Sequence, residues 1–259
     1  MAAYNYQTIQ VDRLGPVYSI TLNKPPLNII DLAMIEELCT ALREVQSEPD
    51  IQVIVFRGAG PKGFSAGVSI HDHKPDRAPN VIPRFDDIFR LLAKTDKVTV
   101  AAVHGICLGG GCELATMCDL IIAAETAKFG QPEIKLGQPP PVGLILLPYL
   151  MGYRKAAELL FTGASIGARE AQSLGLVNRV VPEDQLSQSL EDLLHEVTAH
   201  SGAILRHTKN MLRRAAGLDF EKALQESEDY FVQTILKTED AKEGIFAFLE
   251  KRAPQWTHR

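Results

Sequence analysis

His104-Gly105-Ile106-Cys107-Leu108-Gly109-Gly110-Gly111-Cys112-Glu113-Leu114-Ala115 is the most informative stretch of this 259-residue chain. It leaves an apolar run, Val98 to Val103, of the kind buried in a parallel sheet, and enters a helix expected to reach about Cys118. Three consecutive glycines at that junction let a ligand approach the backbone, and the first amides of a helix have no intrahelical acceptor. With the positive end of the helix dipole behind them, such amides form a site for a developing oxyanion. A nucleotide site is not indicated, because the stretch holds neither G-x-G-x-x-G nor G-x-x-x-x-G-K-[ST]. Glycines kept only for close packing are the plain alternative, and the carboxylates nearby weigh against it.

Glu113 stands in the first turn of a helix whose other residues, Leu114, Ala115, Met117 and Cys118, imply burial. An ionisable group there is costly unless it has a task or a partner. Twenty positions later comes Glu133, in Phe129-Gly130-Gln131-Pro132-Glu133-Ile134, where Pro132 breaks regular structure and suits a loop returning to the helix. Two carboxylates facing one pocket can hold a water and divide the acid and base roles.

Working outward, residues 6–12 and 16–22 read as a hairpin turning at Gly15-Pro16. Asp31 can cap a helix with Leu32, Ile35, Leu38, Leu42 and Val45 on one face. Val53 to Phe56 reads as a buried strand, then comes a helix carrying Phe85, Ile88, Phe89 and Leu92, and Leu120 to Ala124 reads as a further strand after the glycine segment. Strand, helix, strand, helix, strand implies an α/β fold with right-handed crossovers. Beyond about residue 140 the texture becomes helical, with one short strand expected at Val177 to Val181. The expected division is a core over 1–190 and a C-terminal helical region over 191–259, where Glu221, Lys222, Glu226 and Glu228 read as solvated helix surface.

Composition bounds the rest. A hydrophobic fraction of 46% and a charged fraction of 23% are those of a folded globular protein. The net charge of -5 gives no overall field to draw nucleic acid or an anionic membrane, so small molecules and copies of the chain itself are the expected partners. The first fifteen residues have neither a signal nor a transit pattern, and no apolar run has the length of a membrane span, which together imply a cytoplasmic protein. Cys39, Cys107, Cys112 and Cys118 match no C-x2-C spacing and read as buried structural thiols. His71-Asp72-His73 sits before Lys74-Pro75 and reads as a solvated loop rather than a metal cluster.

Gly63-Phe64-Ser65-Ala66-Gly67, the Ala101 to Ala115 segment, Cys118 to Glu125 and Phe129 to Ile134 together resemble the crotonase (enoyl-CoA hydratase/isomerase) superfamily. The resemblance runs from the first hairpin to Phe248-Leu249-Glu250-Lys251-Arg252. It implies a ClpP/crotonase-like spiral of ββα units with a C-terminal helical trimerisation region, assembled as a homotrimer or homohexamer. It also implies an acyl-CoA thioester substrate and no metal or redox cofactor. The backbone amides of Val68 and Gly110 would grip the thioester carbonyl oxygen. Glu113 and Glu133 match both carboxylates of the hydratase branch, Glu113 helping to activate water for attack on the β-carbon and Glu133 delivering a proton to the α-carbon. Coenzyme A would lie along Ala66, Ser69 and Ile70, assisted by Lys62 and, from a neighbouring helix, Phe248 and Lys251.

Two departures qualify the match. Where the family has G-A-D-I-K, this chain has Gly67-Val68-Ser69-Ile70-His71, which removes a lysine contact to coenzyme A. After Glu133 the family's glycine-rich stretch is replaced by Gly137-Gln138-Pro139-Pro140-Pro141-Val142-Gly143-Leu144. Pro141 and Val142, with Leu144, would then make a stiffer, more apolar acyl wall suited to a compact ring, as in the branch that hydrates cyclic dienoyl-CoA. Three other readings stay open: an enoyl-CoA isomerase, a non-catalytic acyl-CoA binder, and a serine hydrolase built on the G-x-S-x-G around Ser65.

Overall fold

The computed structural model describes residues 5–259; the first four residues, part of the stretch read for a leader, lie outside it. Strands β1 (Ile9–Leu14) and β2 (Val17–Leu22) pair antiparallel around the Gly15-Pro16 turn. Helix α1 (Leu32–Gln46) begins at Asp31, whose carboxylate accepts from the Met34 amide, and returns the chain to β3 (Val53–Gly58), parallel to β2.

From there the chain repeats one unit. A long strand enters the main sheet, a three-residue strand turns into a second sheet, and a helix brings the chain back. The first unit is β3, β4 (Gly63–Ser65) and α2 (Ala78–Lys94). The second is β5 (Val98–Val103), β6 (Ile106–Leu108) and α3 (Gly110–Thr116). In the third, β7 (Leu120–Ala124) and β8 (Lys128–Gly130) lead through a 3₁₀ turn, Pro132–Leu136, into α4 (Pro141–Met151). Then follow α5 (Tyr153–Thr162), β9 (Ser165–Gly167), α6 (Ala168–Ser173) and β10 (Arg179–Val181). The chain ends in α7 (Leu186–Thr198), α8 (Gly202–Ala215), α9 (Phe220–Gln233) and α10 (Glu239–Leu249).

The main sheet runs β1-β2-β3-β5-β7-β10, parallel except for the first pair, and the second runs β4-β6-β8-β9. Both faces of the main sheet are covered, which is why its central strands read as continuous apolar runs. Ile54 and Phe56 of β3, with Ala101 and Val103 of β5, join the core formed with α1 and α2. Their neighbours Val53, Val55, Val100 and Ala102 face Leu190, Leu193 and Leu194 of α7. The boundary expected near residue 190 therefore falls inside a helix that covers the sheet.

Two local expectations are refined, and one feature is new. Of the strand expected over Val177 to Val181, Arg179–Val181 forms β10, while Val177 lies outside any strand and is buried in the core. His71-Asp72-His73, expected as a solvated loop, belongs to a 3₁₀ turn, Ile70–His73, with none of its residues buried. The second sheet had no counterpart in the sequence reading, because strands of three residues show no periodicity.

Helix α8 is pinned to the core by cations. Lys209 of α8 donates to Asp119 Oδ2 and to the Lys97 carbonyl, both at 2.6 Å, and Arg213 donates to the carbonyls of Leu92 and Thr95. Beyond α8, large apolar side chains stand exposed, among them Phe231, Ile245, Phe246 and Phe248. Among the described residues no helix is long and apolar enough to cross a membrane.

Candidate active site

The site begins where β4 ends. Asn28, fully buried, donates through its side-chain amide to the carbonyls of Ala59, Gly63 and Phe64 and accepts from the Lys24 amide. Ser65 donates to the Asn28 carbonyl at 2.7 Å and accepts from the Gly67 amide at 3.0 Å. The Ala66 amide donates to Leu27, and the Ser69 amide to Ile30. The Ala66 and Ser69 amides are thus tied to the 27–30 segment and the Gly67 amide to Ser65, yet the Val68 amide donates to no acceptor among the described residues. Ser65 itself is fully buried and its hydroxyl is committed to a carbonyl, which is not the exposed position a nucleophile needs.

Opposite Val68 lies the start of α3. Gly109 has φ +52, and a Cβ there would come within 2.7 Å of Glu133 Oε1. At Gly110 a Cβ would meet Val68 Cγ2 at 2.6 Å and the Phe85 ring at 2.7 Å. These two glycines are therefore required by close approach, as well as by backbone conformation at the first. The Gly110 amide, first in its helix, has no intrahelical acceptor and donates to no other group among the described residues. Two free amides thus stand on adjoining segments, the arrangement that stabilises an oxygen gaining charge.

Glu113 follows one turn later and is 2% exposed. Its Oε1 accepts from the amides of Val142 at 2.8 Å and Gly143 at 2.9 Å, the first amides of α4. No protein donor reaches Oε2 among the described residues. Burial pushes the carboxyl up to about 7, opposed by the two amides and reinforced by the negative charges of Glu133 and Asp86. Glu133 sits in the 3₁₀ turn after β8, and burial raises its carboxyl too, against its own backbone amide. The buried Gln131 amide meets its surroundings when its nitrogen faces Glu133, 3.2 and 3.3 Å from the two oxygens. Two carboxyls with a raised affinity for protons, one with a free oxygen, can pass a proton between water and a carbon acid near neutral pH.

Both glutamates, Val68, Gly109 and Gly110 line one cavity of ≈ 340 Å³. Of the expected binding residues, Ala66, Ile70 and Pro141 also line it. The others do not. Ser69 turns its amide to Ile30, and Lys62 is exposed ahead of β4, where its carbonyl accepts from Ile106. Val142 packs against the core while its amide holds Glu113, and Leu144 is 45% exposed, so neither forms the wall expected of it. Phe248 and Lys251 are exposed at the end of α10, away from this chain's own cavity. The cavity wall there is instead formed by Pro139 and Pro141 with Ile82, Phe85 and Asp86 of α2, and His73 also lines it. The sequence signal for α2 was its core face; that the same helix also walls the site comes from the third dimension.

Comparison with known proteins identifies the family. Residues 13–259 match the enoyl-CoA hydratase/isomerase family. The chain is 42% identical to a probable enoyl-CoA hydratase of Mycobacterium tuberculosis, over 98% of this chain and 99% of that one. It is 33% identical to the cyclohexa-1,5-dienecarbonyl-CoA hydratase of Thauera aromatica, over 97% and 96% of the two chains. The crystal structure of an enoyl-CoA hydratase from Bacillus anthracis superposes with a TM-score of 0.92 at 32% identity, covering 98% of this chain and all of the other.

Proposed function

The chain belongs to the enoyl-CoA hydratase/isomerase family, and from that premise we propose that it adds water across the double bond of an α,β-unsaturated acyl-CoA thioester. The observation that carries this reading is the pair of buried carboxyls, Glu113 and Glu133, both raised and both facing one cavity beside two free amides. The thioester oxygen accepts from Val68 and Gly110. Water held by Glu113 Oε2 and Glu133 gives a proton to carboxylate Glu113 as its oxygen bonds to the β-carbon. The electron pair of the double bond moves to the α-carbon and the thioester oxygen, where the amides stabilise it. Glu133, protonated, then delivers its proton to the α-carbon, and the proton taken up by Glu113 passes to Glu133, which restores the starting pair, so atoms and charge balance.

Acyl-CoA is the only partner this chemistry needs, with coenzyme A carried by the substrate and no separate cofactor, and the reading places the enzyme in the cytoplasm. The cavity of ≈ 340 Å³ with prolines 139 and 141 on its wall favours a compact acyl group. A cyclic dienoyl group is one such, and the name of the Thauera aromatica relative supports testing it. The exposed apolar side chains of α4 and α5 (Ile145, Tyr149, Tyr153, Phe161) and of α10 support a homotrimer or homohexamer in which a neighbour's Phe248 and Lys251 approach coenzyme A.

The test is loss of the enoyl absorbance when the enzyme meets crotonyl-CoA and a cyclic dienoyl-CoA. Hydration of either supports the reading. Migration of the double bond without uptake of water would make the protein an isomerase, and saturable binding without turnover would make it an acyl-CoA carrier.

A further inference from the structure

Asp86 is a third carboxylate on the wall of the active cavity, and it is half-buried with no hydrogen bond or ion pair among the described residues. The cation whose field reaches it, Arg90, is committed elsewhere: its guanidinium bonds Asp87 at 2.8 Å and the Pro83 carbonyl at 3.1 Å. Asp86 follows Phe85, whose ring lies against Gly110, and its charge is felt at Glu113. It therefore stands on the side of the cavity formed by Gly110 and Glu113, where the hydratase reading puts the reacting carbons. Ile82, Phe85, Pro139 and Pro141 on the same wall are apolar, and Gln138, which also lines the cavity, makes no hydrogen bond to it among the described residues. On the same cavity His73 spends Nδ1 on the Ser69 carbonyl at 2.9 Å, which leaves Nε2 as the ring's remaining polar atom.

A pocket built for bare hydrocarbon has no use for these groups. Covering a half-buried carboxylate with an alkyl chain strips its water and replaces it with nothing, whereas a hydroxyl on the acyl chain restores a charge-assisted hydrogen bond. We propose that Asp86 is a specificity-determining residue that accepts a hydrogen bond from a hydroxyl on the acyl group, with His73 beside it, so that the preferred substrates are hydroxyl-bearing enoyl-CoA thioesters. The inference rests on the hydratase reading and narrows its substrate class. A site made to bond a substrate hydroxyl discriminates far more sharply than one that only measures size, because the analogue without it leaves the buried polar group unmet.

The experiment compares kcat/KM for 4-hydroxy- and 5-hydroxy-enoyl-CoA with their unsubstituted parents, crotonyl-CoA among them, in the wild type, Asp86→Leu and Asp86→Asn. The expected result is a wild-type preference of at least about tenfold for one hydroxylated substrate. That ratio should collapse toward unity in Asp86→Leu and fall partway in Asp86→Asn, which keeps the side chain's shape with a weaker acceptor. A wild type that hydrates crotonyl-CoA without preferring either hydroxylated substrate, or a ratio unchanged in both variants, would overturn the inference and leave the hydratase reading intact. A wild type that hydrates no thioester would overturn that reading, and this inference with it.

Discussion

Two carboxyls in this molecule are equally hidden from water and are held in opposite ways. Asp240, 1% exposed at the start of α10, accepts from the Ser201 hydroxyl, the Thr257 amide and hydroxyl, and the His258 amide. Burial alone would raise it, but these donors more than offset that and hold the carboxyl below its usual range. Glu113, 2% exposed, has two amides on one oxygen, none on the other, and another carboxylate nearby, and is pushed up to about 7. Low surface exposure alone is therefore not what marks a reactive acid here. The marks are an oxygen without a donor and a like charge across the cavity. Asp240 clasps the C-terminal tail onto α8 and α10, whereas Glu113 is left with chemistry to do.

Substitution separates the two most strongly. Glu113→Gln or Glu133→Gln keeps size and packing but removes the proton transfer, so kcat for hydration should fall by about 10²-fold or more for each, read from the enoyl absorbance. Retention of near-normal hydration in Glu133→Gln with loss of double-bond migration would reassign the reaction class. Asp240→Ala should do the reverse. It strands the donors of Ser201, Thr257 and His258 and should cost about 2–4 kcal/mol of stability, read by urea unfolding.

Stability against pH sharpens the contrast further. Glu113 has a folded pKa above its unfolded one, so its contribution is fully present below the unfolded value and is lost as pH rises toward about 7. Asp240 is the opposite case, with stability present above its unfolded pKa and lost as pH falls through the lower folded one. Glu113→Gln should therefore stabilise the protein at pH 8 relative to wild type, by at most roughly 3 kcal/mol, and flatten the decline between about pH 4.5 and 7. Equal pH profiles for the two proteins would remove the argument for a raised Glu113. The smallest effect belongs to the wall: Pro141→Ala should narrow the preference for compact over long-chain thioesters by less than about tenfold in kcat/KM, since one apolar contact discriminates only modestly.

Much of this was legible before the structure. The glycine triplet, the apolar setting of Glu113 and the return of the chain at Pro132-Glu133 each have a local signature, and so do the cap at Asp31 and the doubly buried runs of β3 and β5. Asp240 has none. Its donors lie on either side of it, at Ser201 and at Thr257 and His258, and the C-terminal charges were read as solvated surface. Val142 and Leu144 illustrate a different limit. Helix α4 turns Val142 to the core and Leu144 to solvent, so two residues adjacent in sequence to the wall do not form it. Asp86 was hidden by its own helix, whose strong apolar face explained α2 without reference to the residue beside Phe85.

The most direct test of Glu113 and Glu133 as one device is a double-mutant cycle on single-turnover hydration of crotonyl-CoA. Groups that hold the same water act as a unit, so Glu113→Gln/Glu133→Gln should be no more than about tenfold slower than the worse single variant, far short of the product of the two losses. Losses that multiply would mean that the two carboxyls act independently, and would contradict a shared water between them.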